Sequence, residues 1–191
     1  MATSTKRSSV ENGLTFGVIA LAIVVIFAVG LPRWHQSAGE DPITLPDTLS
    51  GGFVAADTPA GTAALNNLKT SGGVTDQQIQ QFVSAATQFH GQNATDATNA
   101  LGVATAGRYY VSQDGKIISI TAARGSQSAW FPGVGSFSKH GDVTCFSASG
   151  SSSSVDCRRT SDSLTVEANA QGVDADTTAA AIDEVYNGIA R

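Results

Sequence analysis

An uncharged apolar segment near the N-terminus constrains this chain more than any other feature. From Leu14 to Leu31 there are 18 residues without a charged side chain, and twelve of them are Leu, Ile, Val or Phe. As a helix this segment spans roughly 27 Å at about 1.5 Å per residue, close to the hydrocarbon thickness of about 30 Å. Lys6 and Arg7 precede it, and Pro32 and Trp34 follow it. The sequence therefore predicts a transmembrane helix over 14–31, with the N-terminus in the cytoplasm and the following domain outside the cell membrane.

A cleaved signal peptide is the alternative interpretation of the same segment. Ala28 and Gly30 supply the small residues that a signal peptidase requires, and cleavage after Gly30 would release a secreted protein. The apolar run continues through Leu31 without a more polar region before the cut, which favours retention as a signal anchor. Both interpretations place the rest of the chain outside the cytoplasm.

The distribution of charged residues and prolines divides the chain into four parts. We expect a cytoplasmic tail at 1–13, the transmembrane helix at 14–31, a stalk at 32–50 and an extracytoplasmic α+β domain at 51–191. Pro42 and Pro46 break any periodicity in the stalk. From Arg33 onward, nine Lys and Arg stand against fifteen Asp and Glu, a net charge of −6. An acidic domain argues against a nucleic-acid partner, which requires a basic surface.

The cysteine count agrees with export. The chain has two cysteines, Cys145 and Cys157, and an even number in an oxidising compartment indicates a disulfide. Two thiols without a nearby pair of histidines do not complete a tetrahedral zinc site, so the sequence predicts no metal and no cofactor.

Hydrophobic periodicity predicts helices around a group of strands. Thr75 and Gln78 fit a capping box before an amphipathic helix that Gly91 would end. Asp114-Gly115 predicts a tight hairpin, and the two cysteines would join the arms of a second hairpin. Asp174 or Asp176 would cap a C-terminal helix. The order predicts an α+β fold, a small two-layer domain whose antiparallel sheet of about four to six strands carries helices on one face.

Catalytic motifs are absent from the sequence pattern. His140-Gly141-Asp142 with nearby serines suggests a hydrolase, but no Gly-x-Ser-x-Gly elbow accompanies it, so we interpret His140 as a surface loop residue. We interpret His90 as a surface residue at a helix end, where a cation suits the helix dipole. The sequence predicts no catalytic residue and favours a protein that is not an enzyme.

One aromatic segment stands out as a partner surface. Trp130, Phe131 and Phe137 lie in a stretch that Pro132, Gly133 and Gly135 make a loop. Exposed aromatic side chains mark binding surfaces, whereas the alternative is that Trp130 and Phe131 end a strand and close the core. We carry these three residues as a candidate surface for an unknown protein or small-ligand partner.

The layout of the chain resembles that of type IV pilin-like proteins. A short basic leader ends at Gly13, an uncharged helix follows, and the α+β head carries a late disulfide. The family's glutamate position is Val18 here. The resemblance implies processing after Gly13 and an assembly role. Our leading expectation is a membrane-anchored bacterial domain with a binding or envelope-assembly role; a pilin-like subunit, an exported hydrolase and a secreted binding or inhibitor domain are the alternatives.

Overall fold

The computed structural model describes residues 42–70, 74–126, 135–148 and 154–190. The predicted transmembrane helix at 14–31 lies outside these ranges. Within them, no helix combines the length and the apolar character that crossing a bilayer requires.

Eight antiparallel strands form one sheet in this part of the chain, in the order β1-β2-β3-β4-β8-β7-β6-β5. The strands are β1 (Thr48–Leu49), β2 (Phe53–Ala55), β3 (Thr105–Val111), β4 (Ile117–Arg124), β5 (Gly135–His140), β6 (Val143–Ala148), β7 (Ser154–Thr160) and β8 (Leu164–Gln171). The prediction of an α+β domain with an antiparallel sheet is confirmed. The predicted size of four to six strands is wrong, because the short β1 and β2 and the polar β5 give weak sequence signals.

Four helices and one π turn complete the described part. They are α1 (Pro59–Thr70), α2 (Asp76–Gln88), the π turn (Phe89–Asn93), α3 (Ala94–Leu101) and α4 (Ala175–Ile189). The capping box at Thr75 is present, with its side chain accepting from Gln78 N. Asp174 caps α4 and accepts from Thr177 N.

The helices cover both faces of the sheet, so the expectation of helices on one face is wrong. Tyr109 packs with Phe82 and Phe89 beneath α2 and the π turn. Its neighbour Tyr110 lies in the second core, with Ile182 of α4. Adjacent strand residues point to opposite faces, and both tyrosines are buried. Two separate amphipathic helical layers each need an apolar sheet face, and continuous burial along β3 supplies both.

Two local expectations are also corrected. Gly91 does not end a helix, because the helical path continues through the π turn, and the left-handed cap is Gly102 with φ 69°. The segment around Phe137 is not wholly a loop, because Gly135–His140 pairs with β6. Gly135 suits that pairing, since a Cβ there would overlap the carbonyl of Ser147 and the ring of Phe146.

The last part of the predicted stalk belongs to the folded domain. Leu45 and Leu49 are buried, at 2% and 5% exposure, and Leu49 lies on β1. Proline restricts the backbone and removes a donor, but its carbonyl remains an acceptor. The carbonyl of Pro46 accepts from the hydroxyl of Tyr110 at 2.9 Å. This segment therefore lies against the sheet, although its prolines indicate an extended stalk.

Candidate functional site

The predicted disulfide is present. Cys145 on β6 lies directly opposite Cys157 on β7, and the two are bonded. Both are buried beneath α4, at 0% and 1% exposure. Phe137 lies on β5 with 58% exposure and packs on Phe146, with ring centroids 5.0 Å apart. Trp130 and Phe131 lie outside the described residues, so the aromatic partner surface stays a prediction.

A buried ion pair sits at the junction of β2, α1 and β3. Arg108 has 6% side-chain exposure, and its Nε donates to Asp57 Oδ1 at 2.9 Å while Nη2 donates to Oδ2 at 3.3 Å. Its Nη1 donates to the carbonyls of Leu45 and Pro46, each at 3.0 Å, and reaches Asp47 Oδ1 at 2.7 Å. The guanidinium of Arg108 therefore joins the incoming segment, residues 42–47 that lead into β1, to the carboxylate of Asp57.

Asp57 is free for this role because its neighbour caps the helix. The Oγ1 of Thr58 accepts from the backbone N–H of Gly61 at 3.1 Å, at the start of α1. Burial would raise the pKa of Asp57, but hydrogen bonds from Arg108 and His90, with the charge of Arg108, outweigh burial and hold that pKa below its usual value. Asp57 is thus a carboxylate at neutral pH.

His90 extends this pair toward the surface. Its Nδ1 lies 2.6 Å from Asp57 Oδ2, and its side chain is 40% exposed. His90 belongs to the π turn, a feature that often occurs at functional sites because it redirects side chains from an otherwise continuous helix. With Nδ1 donating to the carboxylate, Nε2 is left as the acceptor of the neutral ring. The Asp57 carboxylate therefore holds the His90 ring in one orientation, as a carboxylate does for a histidine that reacts with or binds a ligand.

A cavity of about 260 Å³ opens beside this histidine, and we call it the His90 groove. Its lining includes Ile43, His90, Gly91, Thr95, Thr98 and Asn99. The Oγ1 atoms of Thr98 and Thr105 lie 2.9 Å apart, and Thr105 Oγ1 donates to the carbonyl of Ala94 at 2.8 Å. The groove thus combines hydroxyls, an amide and an imidazole with small apolar side chains.

The lining of the His90 groove carries no lysine, arginine or carboxylate. The nearby guanidinium of Arg108 is already paired with Asp57 and Asp47. Within the described residues, no group of three or more His, Cys, Asp or Glu is placed to hold a metal ion. This chemistry suits a neutral ligand that offers hydroxyl or amide groups.

A second constellation lies at the opposite end of the sheet. Ser138 Oγ is 2.9 Å from His140 Nε2, and His140 Nδ1 is 2.7 Å from Asp176 Oδ1. His140 is therefore the last residue of a strand between two polar partners, and the interpretation of it as a loop residue is wrong. Asp142, its neighbour in the sequence motif, pairs instead with Arg159 at 3.2 Å.

Comparison with known proteins adds no relative: no family model, no curated protein and no solved structure matches the chain.

Sequence reasoning missed most of both constellations. Asp57, His90 and Arg108 are up to 51 residues apart in sequence, so only the fold brings them together. The signal available for Arg108 is a charged residue inside a strand of apolar neighbours. For Ser138 and His140 the available signal is their spacing of two, which puts both side chains on one face of a strand.

Proposed function

We propose that this chain is a single-pass membrane-anchored extracytoplasmic domain that binds a small neutral, hydroxylated ligand in the His90 groove. The observation that carries the proposal is a histidine, held by a buried carboxylate–guanidinium pair, at the lip of a cavity lined by threonines and an asparagine. Such a convergence of a few oriented polar groups in a concave site is characteristic of ligand pockets.

The compartment is supported by sequence and cysteine chemistry together. The uncharged segment 14–31 fits a membrane anchor, and a buried disulfide suits an oxidising compartment outside the cytoplasm.

The ligand class follows from size and charge. A cavity of about 260 Å³ is slightly smaller than the usual range of about 300–1,000 Å³ for ligand pockets, so a single sugar ring or a polyol is a suitable size. A ligand hydroxyl can donate to His90 Nε2, while the amide of Asn99 can both donate and accept. The lining holds no lysine or arginine to compensate an anionic ligand.

Binding is tested on the full-length protein in detergent or nanodiscs by saturation-transfer NMR. The probes are glucose, N-acetylglucosamine and inositol, with glucuronate as the anionic comparison. We expect signals from the neutral probes and their loss in H90A, which keeps the Asp57–Arg108 pair. Gln92 is exposed in the same π turn and outside the lining of the groove, so Q92A is the matched control. Equal signals in wild type and H90A, or none from any neutral probe, would reject the ligand site.

Localisation is tested separately by intact mass spectrometry of membrane and supernatant fractions without reductant. A full-length membrane species supports the anchor. A membrane species beginning at Leu14 indicates pilin-type processing, and a supernatant species beginning at Leu31 indicates secretion; either result contradicts the anchored full-length form.

A further inference from the structure

The second constellation has the connectivity of a nucleophilic triad. His140 Nδ1 contacts a carboxylate, and its Nε2 contacts a serine hydroxyl, which is the arrangement by which a histidine base activates serine. We infer that Ser138, His140 and Asp176 form an esterase site, independent of the His90 groove, that hydrolyses small acyl esters outside the cytoplasm.

Local structure places the three groups. Ser138 and His140 are two residues apart on β5, so their side chains share one face of the strand. Asp176 lies in the first turn of α4, which packs on that same side of the sheet. The positive end of the helix dipole suits the ionised carboxylate there. Asp176 in turn fixes which histidine nitrogen carries the proton, leaving Nε2 to accept from Ser138.

The disulfide stiffens the support of this site. Cys145 lies opposite Ser138 in the β5–β6 register, and its Sγ approaches the carbonyl of Ala175 at 3.8 Å. Ala175 directly precedes Asp176. One buried residue therefore contacts both the strand that carries the nucleophile and the helix that carries the carboxylate, and such rigid support preserves catalytic geometry.

Accessibility sets the substrate class. Ser138 is exposed and Asp176 has 89% side-chain exposure, so an ester can approach Ser138 from solvent without entering a deep pocket. The site thus suits short acyl groups on small alcohols rather than long acyl chains, which require an apolar tunnel.

The reaction takes two balanced steps. Ser138 Oγ attacks the ester carbonyl carbon while its proton passes to His140 Nε2; the bond from the acyl carbon to the alkoxy oxygen then breaks, and the alcohol leaves with that proton. Water next attacks the acyl carbon and gives one proton to His140 Nε2. The bond from the acyl carbon to Ser138 Oγ then breaks, the carboxylic acid leaves, and Ser138 Oγ takes the proton back from His140. Ester and water are the only reactants.

The test uses the purified full-length protein, p-nitrophenyl acetate and a fluorophosphonate probe. We expect labelling at Ser138, and at least about a 100-fold loss of esterase rate in S138A and H140Q, the usual contribution of general-base activation. D176N should lose about tenfold, less than a buried carboxylate would, because solvent screens the exposed pair. S138A should abolish labelling.

Two matched controls separate chemistry from folding. S136A removes a hydroxyl on the same face of the same strand, and D142N removes the carboxylate that pairs with Arg159 rather than with His140. Both should retain labelling and rate. A rate in S138A equal to that of wild type, or labelling of a different serine, overturns the esterase site.

Discussion

Asp57 connects three parts of the chain that are distant in sequence. Its carboxylate accepts from Arg108 on β3 and contacts His90 in the π turn, while its own position is between β2 and α1. Asp47 also reaches Arg108, but its side chain is 76% exposed against 10% for Asp57. The two aspartates therefore allow a buried and an exposed partner of one guanidinium to be compared.

The Asp57→Asn substitution should destabilise the domain by about 3 kcal/mol, because it removes the buried charge partner of Arg108 and leaves only the exposed Asp47. Asp47→Asn should cost less than about 1 kcal/mol, since solvent screens the exposed pair. Urea unfolding of both variants measures the difference. The folded pKa of Asp57 is depressed, so its stabilisation is present above the ordinary carboxyl pKa and is lost as pH falls through the depressed value. The difference in free energy of unfolding between wild type and D57N should therefore become smaller in acid. A difference that is constant with pH would contradict the ion-pair explanation.

Two helical glycines offer a second comparison at this scale. A Cβ at Gly61 in α1 would overlap the carbonyl oxygen of Ala55 and come within 2.6 Å of Ala56 Cα, whereas a Cβ at Gly188 in α4 meets nothing within 4 Å. We expect Gly61→Ala to cost about 1–3 kcal/mol through overpacking. Gly188→Ala should stabilise by up to about 1 kcal/mol, because alanine favours the helix. Thermal unfolding of the two variants checks both signs, and a stable G61A would show that α1 can move away from β2.

At the scale of elements, the π turn and the disulfide-linked hairpin differ in how far the sequence predicts them. Cysteine parity, a turn-rich loop and alternating residues predict the β6–β7 hairpin, and each signal is local. The π turn has no comparable signal. Its effect is to carry the helical path past Gly91 and to place Phe89 beneath β3, where the ring would meet any Cβ at Gly107. That fit is a tertiary one, so periodicity along α2 does not reveal it.

The disulfide should contribute about 3 kcal/mol to the stability of the domain. Its two cysteines are 12 positions apart, and a closed loop of roughly that length restricts the unfolded chain by about this amount. The double variant C145A/C157A, compared in urea with wild type, measures this contribution. Adding reductant should destabilise only the wild type. Equal stability of oxidised wild type and the double variant would contradict the expectation.

At the scale of the whole molecule, the two sheet faces carry different cores, and this limits prediction from sequence. Amphipathic helices and alternating strands are predictable because the apolar residues of each element recur at the spacing of its buried face. Which helix packs on which face of the sheet depends on contacts between distant parts of the chain. Those contacts join α2 to one side of β3 and α4 to the other, so no single element contains the signal. The same limit applies to the second constellation: the sequence contains His140, but its partner is Asp176 in the first turn of α4 rather than the adjacent Asp142.

Opposing carboxylate shifts predict how the stability of the whole domain varies with pH. Burial raises the pKa of Asp156, and burial outweighs the charge of Arg158 to raise the pKa of Glu167. A raised carboxyl pKa means that the folded state loses stability as pH rises through it, the reverse of Asp57. Together these three groups stabilise the folded state most near the ordinary carboxyl pKa, and their contribution declines on both sides of it. Asp156→Asn should reduce the decline toward neutral pH, as measured by unfolding across a pH series; an unchanged profile would contradict this assignment.

The edge position of β1 has a mechanical consequence. This strand of two residues is the outermost of the sheet, and the same incoming segment supplies Ile43 to the groove and two carbonyls to Arg108. Tension applied to the chain at Pro42 would act on β1 first and separate it from β2 one residue pair at a time. The disulfide-linked strands lie at the far side of the sheet and would bear little of that load. A pull from the N-terminal end would thus open the His90 groove before the rest of the domain unfolds, and single-molecule stretching from that end should show a first, low-force extension that precedes the main unfolding event.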